Sequence, residues 1–228
     1  MHLSIVIPTL NEARNIESCL RALAPLRARG VDVVVADGGS DDATAEIARP
    51  LCDSVLTAPR GRALQMNAGA RAARGDVLLF LHADCVLPAG ADELIHAALP
   101  ASPHVWGRFD VRLSGRRPLL RLVESMMNLR SRITGIATGD QAIFVTRRAF
   151  DAVGGFPAIA LMEDIAVSAA LKRLSAPLCL RARVVVSSRR WERQGVLRTI
   201  LLMWRLRAAY FLGARPEQLS RIYYRDGN

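Results

Sequence analysis

Lysine is almost missing from this chain. Lys172 is the single one, so the 31 basic residues behind a formal net charge of +10 over 228 residues are otherwise arginine. They are dispersed along the chain, giving a surface that favours anionic partners: phosphate-bearing substrates, an anionic membrane face or nucleic acid. Other absences argue against nucleic acid. There is no helix-turn-helix signature, zinc-finger spacing or RNP-like aromatic motif, and at 5% aromatic content little is available for bases to stack on. Cysteine is sparse, and Cys19, Cys52, Cys85 and Cys179 lack CxxC spacing, the pattern of reduced thiols in a cytoplasmic protein. No signal peptide precedes the first apolar run. No apolar stretch approaches the roughly 20 residues of a membrane-spanning helix.

What is present, at 51% hydrophobic, is enough for one well-buried core, so a single domain is expected. The stretch Val77 to Asp84, VLLFLHAD, reads as a strand buried on both faces that ends in a histidine and a carboxylate. If the extension holds past Leu81, His82 and Asp84 point to the same side. That is the carboxyl end of a buried strand, where open α/β sheets place ligands, and both residues are competent ligands for a divalent cation. Taken alone, the pair reads more readily as a core histidine followed by a capped turn before Pro88.

Upstream, Leu3 to Ile7 is a β-branched run halted by Pro8. Asn11 is placed to cap a helix with Ile16, Cys19, Leu20 and Leu23 on its apolar face, and Gly30 stops it. A second strand, Val31 to Ala36, ends in Asp37-Gly38-Gly39-Ser40-Asp41-Asp42-Ala43-Thr44, a carboxylate and a tight turn that start the next helix. Strand, helix, strand, turn, helix is the pattern of a parallel sheet. An aspartate at such a strand tip can accept hydrogen bonds from a nucleobase or ribose, or simply cap its own turn. A third strand is expected near Ser54 to Thr57. A helix then follows Pro59-Arg60-Gly61-Arg62 to about Ala73, with Ala63, Met66, Ala70 and Ala73 buried and Gln65, Asn67 and Arg71 elsewhere. Arg60 and Arg62 precede its first turn, well placed for a pyrophosphate or as plain surface arginines.

Four motifs together, Ile5-Val6-Ile7-Pro8-Thr9-Leu10-Asn11-Glu12, the Asp37 to Thr44 turn, Gly61-Arg62-Ala63-Leu64-Gln65-Met66-Asn67-Ala68-Gly69 and His82-Ala83-Asp84, resemble the nucleotide-binding half of a family-2 glycosyltransferase. The resemblance implies the GT-A fold, a doubly wound, mostly parallel α/β sheet, and a nucleotide-diphosphate sugar donor bound with a divalent metal, Mn²⁺ or Mg²⁺. It implies that Pro8, Thr9, Glu12, Asp37, Arg62, Asn67, Ala83 and Asp84 line the donor pocket, with Asp37 reading the base. Asp84 matches the last carboxylate of the family's DxD motif. His82 stands where the family usually has aspartate, which keeps a metal ligand but removes a negative charge.

The second half is less regular. Trp106 to Leu113 alternates, with Phe109, Val111 and Leu113 on one face and Trp106, Arg108, Asp110 and Arg112 on a face expected to meet water. A helix near Leu119 to Arg130, a flexible Gly135 to Gly139 and a strand Gln141 to Thr146 follow. Gly139-Asp140-Gln141 reads as the acceptor border or as a capped loop. Arg147 to Phe156 resembles the family's helix and turn ahead of its catalytic segment. Glu163 and Asp164 open a helix striped by Val167, Ala170, Leu171 and Leu174, and acidic residues in a first turn are common for electrostatic reasons alone. The resemblance adds that Asp164 is the general base of an inverting transfer, with Glu163 beside it. It also suggests that Arg190 and Trp191, in RRWERQG, close over the site, although Trp191 could simply be packed. The last segment carries Leu197, Ile200, Leu201, Trp204, Ala208 and Phe211 at helical spacing among arginines. Such a helix packs on the core, lies on a membrane at the inner face, or pairs two copies.

The resemblance covers the chain as one domain: a nucleotide-sugar half to about residue 100, an acceptor and catalytic half to about 190, and a C-terminal helical segment over 191–228. The subgroup it most resembles is the small bacterial radical-SAM/selenodomain-associated transferase 2 group, which fixes no acceptor. Two readings from other classes are weighed against it. A sugar nucleotidyltransferase requires a glycine-rich loop with a lysine after the first strand, where this chain has Pro8 to Glu12. A non-catalytic nucleotide-binding relative would be expected to lose Asp84 or Asp164, and both are present.

Overall fold

The computed structural model describes residues 1–225. Eight strands, β1 (Leu3–Thr9), β2 (Asp32–Asp37), β3 (Ser54–Thr57), β4 (Val77–Phe80), β5 (Cys85–Val86), β6 (Trp106–Leu113), β7 (Phe144–Thr146) and β8 (Leu178–Val186), form one sheet in the order β3-β2-β1-β4-β7-β6-β8-β5. The pairs of β1 with β2 and β4, β2 with β3, and β6 with β8 are parallel, and those made by β7 and β5 are antiparallel. Among the described residues, ten α-helices accompany them: α1 (Ile16–Ala28), α2 (Thr44–Ala48), α3 (Arg62–Ala72), α4 (Ala91–Ala98), α5 (Pro118–Thr134), α6 (Arg147–Ala152), α7 (Glu163–Leu171), α8 (Arg189–Gln194), α9 (Val196–Phe211) and α10 (Pro216–Arg225).

The central strands are apolar throughout because both faces are covered. Ile5, Ile7, Val33, Val35 and Leu79 face a cluster with Ile16, Leu20 and Leu23 of α1, while Val6, Val34, Leu78 and Phe80 face Ala63, Met66 and Ala70 of α3. A Cβ on Gly69 would come within 2.3 Å of Val6 Cγ1, so glycine there is what lets α3 lie directly on β1. Pro8 does not halt β1. The strand runs on to Thr9, and β4 has already ended beside it, so the missing N–H breaks no ladder bond.

Several expectations are corrected by long-range contacts. Asn11 caps no helix; its φ is 56° and its Oδ1 accepts from Asp41 N at 2.9 Å, tying two loops together ahead of α1. Gln65 is buried, and its Nε2 donates to Thr9 O at 2.6 Å and Ala36 O at 3.1 Å. The face of β6 expected to meet water is covered except at its end: Trp106 and Arg108 are fully buried and Asp110 is nearly so, while Arg112 is exposed as expected. Arg108 pairs with Asp110, which also receives Arg132 of α5 at 2.8 Å. Beyond Gly107, β7 no longer pairs with β6, and α5 takes over the freed edge. Asn128 Oδ1 accepts from Val111 N at 2.8 Å and its Nδ2 donates to Val111 O at 3.1 Å, an amide standing in for a strand.

In place of a strand from Gln141 there is a 3₁₀ turn at Gly139–Gln141, with β7 starting at Phe144. The segment before it, expected to be flexible, is tied down, since Ala137 N donates to Ser168 Oγ at 3.2 Å. On α7, Val167 and Leu171 are buried but Leu174 lies beyond the helix and is exposed. A third cluster joins Leu161, Met162 and Ile165, around the start of α7, to Leu202 and Leu206 of α9 and Leu219 of α10. Of the stripe expected to seat α9, Ile200 packs on the main core and the rest is not used. Leu197, Leu201, Trp204 and Phe211 are exposed, and Val196, Thr199, Leu202 and Leu206 are buried instead.

Candidate active site

The apolar run of β4 ends at Phe80, short of His82 and Asp84, so strand alternation does not align them. A turn does the work: Cys85 N donates to His82 O at 3.0 Å, and the chain leaves through β5 to pair with β8. Within this turn the donor atoms of His82, Asp84 and Cys85 lie within 4.8 Å of one another. A divalent cation bonded at about 2.0–2.3 Å needs its donors no more than roughly 4.6 Å apart, so small rotations bring this set to ligand spacing. Imidazole and carboxylate suit Mn²⁺ or a similar divalent ion. Cys85 belongs to the core beneath; burial and the Asp84 carboxylate push its thiol well above its ordinary pKa, which keeps it protonated. His82 Nδ1 also faces Asp140 Oδ1 at 3.5 Å. Burial opposes the charge of Asp140, but His82, Arg62 and Arg190 outweigh it and hold this carboxyl below its usual value. His82 and Asp84 therefore fit a cation, and Asp140 touches the pair through His82.

Facing this turn across a narrow cleft is the start of α7. His82, Gly139, Glu163 and Asp164 line the cleft together with Met66, Phe80, Ile143 and Phe156. Asp164 Oδ2 accepts from Gly139 N at 2.9 Å and Oδ1 from Ile165 N at 2.7 Å, which fixes the carboxylate. Burial, and next the Glu163 carboxylate, push its pKa up to about 6. Glu163 is buried and pairs with Arg62 Nη1 at 3.3 Å. Burial works against the Arg62 charge, yet Glu163, Tyr223, Tyr224 and Asp164 hold this guanidinium above its ordinary value. A Cβ on Gly139 would sit 2.5 Å from the His82 ring, so glycine here is what lets the 139–141 turn touch both His82 and Asp164.

The other nucleotide-half residues gather on the same edge of the sheet, several already engaged. Asp37 is buried, and its two oxygens accept from Thr9 Oγ1, Ser40 Oγ, Gly39 N and Ser40 N, the full capacity of a carboxylate. Glu12 N donates to Thr44 Oγ1 at 2.8 Å, while Pro8 is half-buried and Thr9 and Ala83 are buried. Asn67 spends its amide on Phe156, accepting from its N at 2.9 Å and donating to its O at 2.8 Å, so it shapes a cleft wall instead of projecting into the cleft. Gln141 is fully buried and supports its turn from within.

At the C-terminal side, the Arg190 guanidinium lies over the Tyr223 ring at 3.6 Å and its Nη2 donates to Tyr223 O at 3.0 Å. Trp191 packs on the main core cluster. Tyr223 was not singled out from sequence, and Asp140 was read only within a Gly139-Asp140-Gln141 acceptor border or capped loop, without its contact to His82. Backbone strain marks the same region. Among the described residues, the non-glycine positions with positive φ are Asn11 (56°), Ala142 (46°) and Met162 (71°), which adjoin Glu12, the 139–141 turn and Glu163.

Residues 4–152 match the family model described as glycosyl transferase family 2. Among curated proteins, the chain is 34% identical over 91 residues to the glycosyltransferase AglE of Haloferax volcanii, covering 36% of this chain and 30% of that one. It is 36% identical over 88 residues to a PGL/p-HBAD biosynthesis glycosyltransferase of Mycobacterium bovis, covering 36% and 34%. The chain thus spans about a third of the length of these relatives. Among solved structures, it resembles S. aureus TarS 1-349 in complex with UDP-GlcNAc, with TM-score 0.68 and 20% identity over 82% of this chain and 58% of that one. It also resembles the mannosyltransferase PcManGT of Pyrobaculum calidifontis in complex with GDP-Man and Mn²⁺, with TM-score 0.64 and 24% identity over 98% and 68%. The fold is the GT-A fold of these structures, and with more than half of its residues inside the family model, this chain belongs to glycosyl transferase family 2.

Proposed function

We propose that the chain is an inverting glycosyltransferase that moves a sugar from a nucleotide-diphosphate sugar to an acceptor hydroxyl, with Asp164 as general base. One observation carries the reading: a carboxylate held by two backbone N–H groups, with its pKa raised to about 6, lines one cleft with the His82 turn. Inverting displacement needs a base on the side opposite the leaving group, and a base poised near the working pH is the efficient one. Above about pH 6 Asp164 is ionised and takes the acceptor proton as the oxygen attacks. Glu163 is tied to Arg62, so it orients that guanidinium toward the diphosphate and leaves Asp164 to accept the proton.

In this reading His82 and Asp84, with Asp140 behind them, hold a divalent cation. Such an ion, when bound, neutralises charge on the departing diphosphate. Pro8, Thr9, Glu12 and Asp37 border the nucleoside, and because the Asp37 oxygens are fully used, reading a base requires the Ser40 hydroxyl to release its bond. The nucleotide half ends near residue 100, the acceptor half near 190, and Arg190 with Tyr223 forms the wall on the C-terminal side. The relatives' names offer both UDP- and GDP-linked donors, so either base belongs in the screen. The four free cysteines suit a cytoplasmic setting, and the C-terminal helices are the segment through which the chain would meet a membrane or a second copy. No helix among the described residues is long and apolar enough to cross a membrane.

The test is a thermal-shift screen of UDP- and GDP-sugars with Mn²⁺ or Mg²⁺. A donor at 100 times its dissociation constant should stabilise the fold by about 2.7 kcal/mol, and stabilisation by none of them would sink the proposal.

A further inference from the structure

Helix α9 is apolar on two opposite sides. At 3.6 residues per turn, Thr199, Leu202 and Leu206 fall on the side that packs against Leu161, Met162 and Ile165. Leu197, Leu201, Trp204, Ala208 and Phe211, spaced by four and three residues, fall on the other. That side is open: Leu197 is 67% exposed, Leu201 58%, Trp204 58% and Phe211 67%. Single exposed leucines are ordinary, whereas an unbroken stripe along a whole helix, centred on a tryptophan, marks an interaction surface.

The charges beside the stripe identify the partner. Arg198 and Arg205 lie along one border between the two apolar sides and Arg207 along the other, and α9 contains no acidic residue. Arginines at the margins of an apolar face can reach lipid phosphates while their stems lie along the hydrocarbon boundary, and tryptophan favours that same depth. A second copy docked through this stripe would bring two sets of like-charged borders together with no carboxylate from α9 to relieve them. The end of α5 meets the same region, since Ile136, just past it, packs against the Leu202 and Leu206 cluster. α5 carries a separate exposed stripe, Leu122, Met126, Leu129 and Ile133, which is not part of the α9 face.

We infer that the outer face of α9 docks on the surface of an anionic lipid bilayer. The contact would lie on the helix whose inner side braces Leu161, Met162 and Ile165 around Glu163 and Asp164, so docking would fix how the cleft faces the membrane. The docking inference does not depend on the reaction assigned to that cleft.

The test is co-sedimentation of the full chain with vesicles of phosphatidylcholine alone or mixed with phosphatidylglycerol. Binding is expected to the anionic vesicles and to weaken with salt. Leu201→Glu and Trp204→Glu should each lower partitioning at least about tenfold, and Arg198→Ala and Arg205→Ala about fivefold each. Thermal melting checks that the variants fold; Leu197→Gln replaces any that do not. Three results would overturn the inference: no binding to anionic vesicles, undiminished binding by the stripe variants, or a solution dimer by light scattering that Trp204→Glu dissociates.

Discussion

Asparagine at position 164 should make the protein more stable and nearly inactive, and both effects follow from the same carboxylate. Its pKa is raised from 3.8 to about 6 by burial and by Glu163. The folded state therefore holds the proton more tightly than the unfolded chain does. Stability is lost as pH rises from about 4 to about 6, and the full penalty of about 3 kcal/mol applies above that range. Asparagine carries no charge, but it keeps only one acceptor oxygen, so one of the bonds from Gly139 N or Ile165 N is lost at a cost of about 1 kcal/mol. The net gain is about 2 kcal/mol at pH 8, or roughly 4–8 °C in melting temperature, and wild type regains about half of the charge penalty by pH 5. Thermal denaturation of both proteins at pH 8 and pH 5 measures this. A variant less stable than wild type at pH 8, or a difference that does not change with pH, would refute the reasoning. Transfer by the variant should fall roughly 10²- to 10⁴-fold with donor binding kept, and wild-type rate should climb through about pH 6 to a plateau.

Removing the cation with EDTA should weaken calorimetric binding of a nucleoside diphosphate far more than that of the nucleoside, and Asp84→Asn with His82→Ala should reproduce the loss. Gly139→Ala forces a methyl group to 2.5 Å from the His82 ring. It should lower Mn²⁺ affinity measured by calorimetry, and an unchanged affinity would remove His82 from the site. Arg62→Ala leaves the buried Glu163 unpaired, so it should both lower diphosphate affinity and destabilise the fold by about 3 kcal/mol in urea titration. Asp110→Ala strands the fully buried Arg108 and should cost about 3–5 kcal/mol with no change in donor affinity.

The parallel half of the fold was legible because its elements are set by local pattern. β3 falls at Ser54–Thr57 as the sequence suggests, and the apolar runs of β1, β2 and β4 are continuous because helices cover both faces. What failed depended on contacts far along the chain. Alternation in β6 separated two faces correctly, but only α5, arriving with Asn128 and Arg132, decides that Arg108 and Asp110 are buried while Arg112 stays exposed. Helix α9 has two apolar stripes, and periodicity cannot say which one meets Leu161 and Met162. Among the residues proposed for the site, Asp164 drew attention through the resemblance, since an acidic pair at a helix start reads equally as a cap, and the structure puts it in the cleft wall beside His82. For Asp140 only the turn was noticed; its place beside His82 arises from a turn that pushes Gly139 against the His82 ring, a contact of sequence-distant groups. Asn67 and Gln141 drew attention as polar residues in motifs, and their amide groups turn out to serve the backbone or the interior.

The most direct test of Asp164 as the base of an inverting transfer is the anomeric configuration of the product, read by proton NMR from the first turnover with a UDP- or GDP-sugar, Mn²⁺ and an accepted hydroxyl compound. The account predicts a configuration opposite to that of the donor, formed by wild type and all but lost in Asp164→Asn. A product that keeps the donor's configuration, or full turnover by Asp164→Asn, would contradict it.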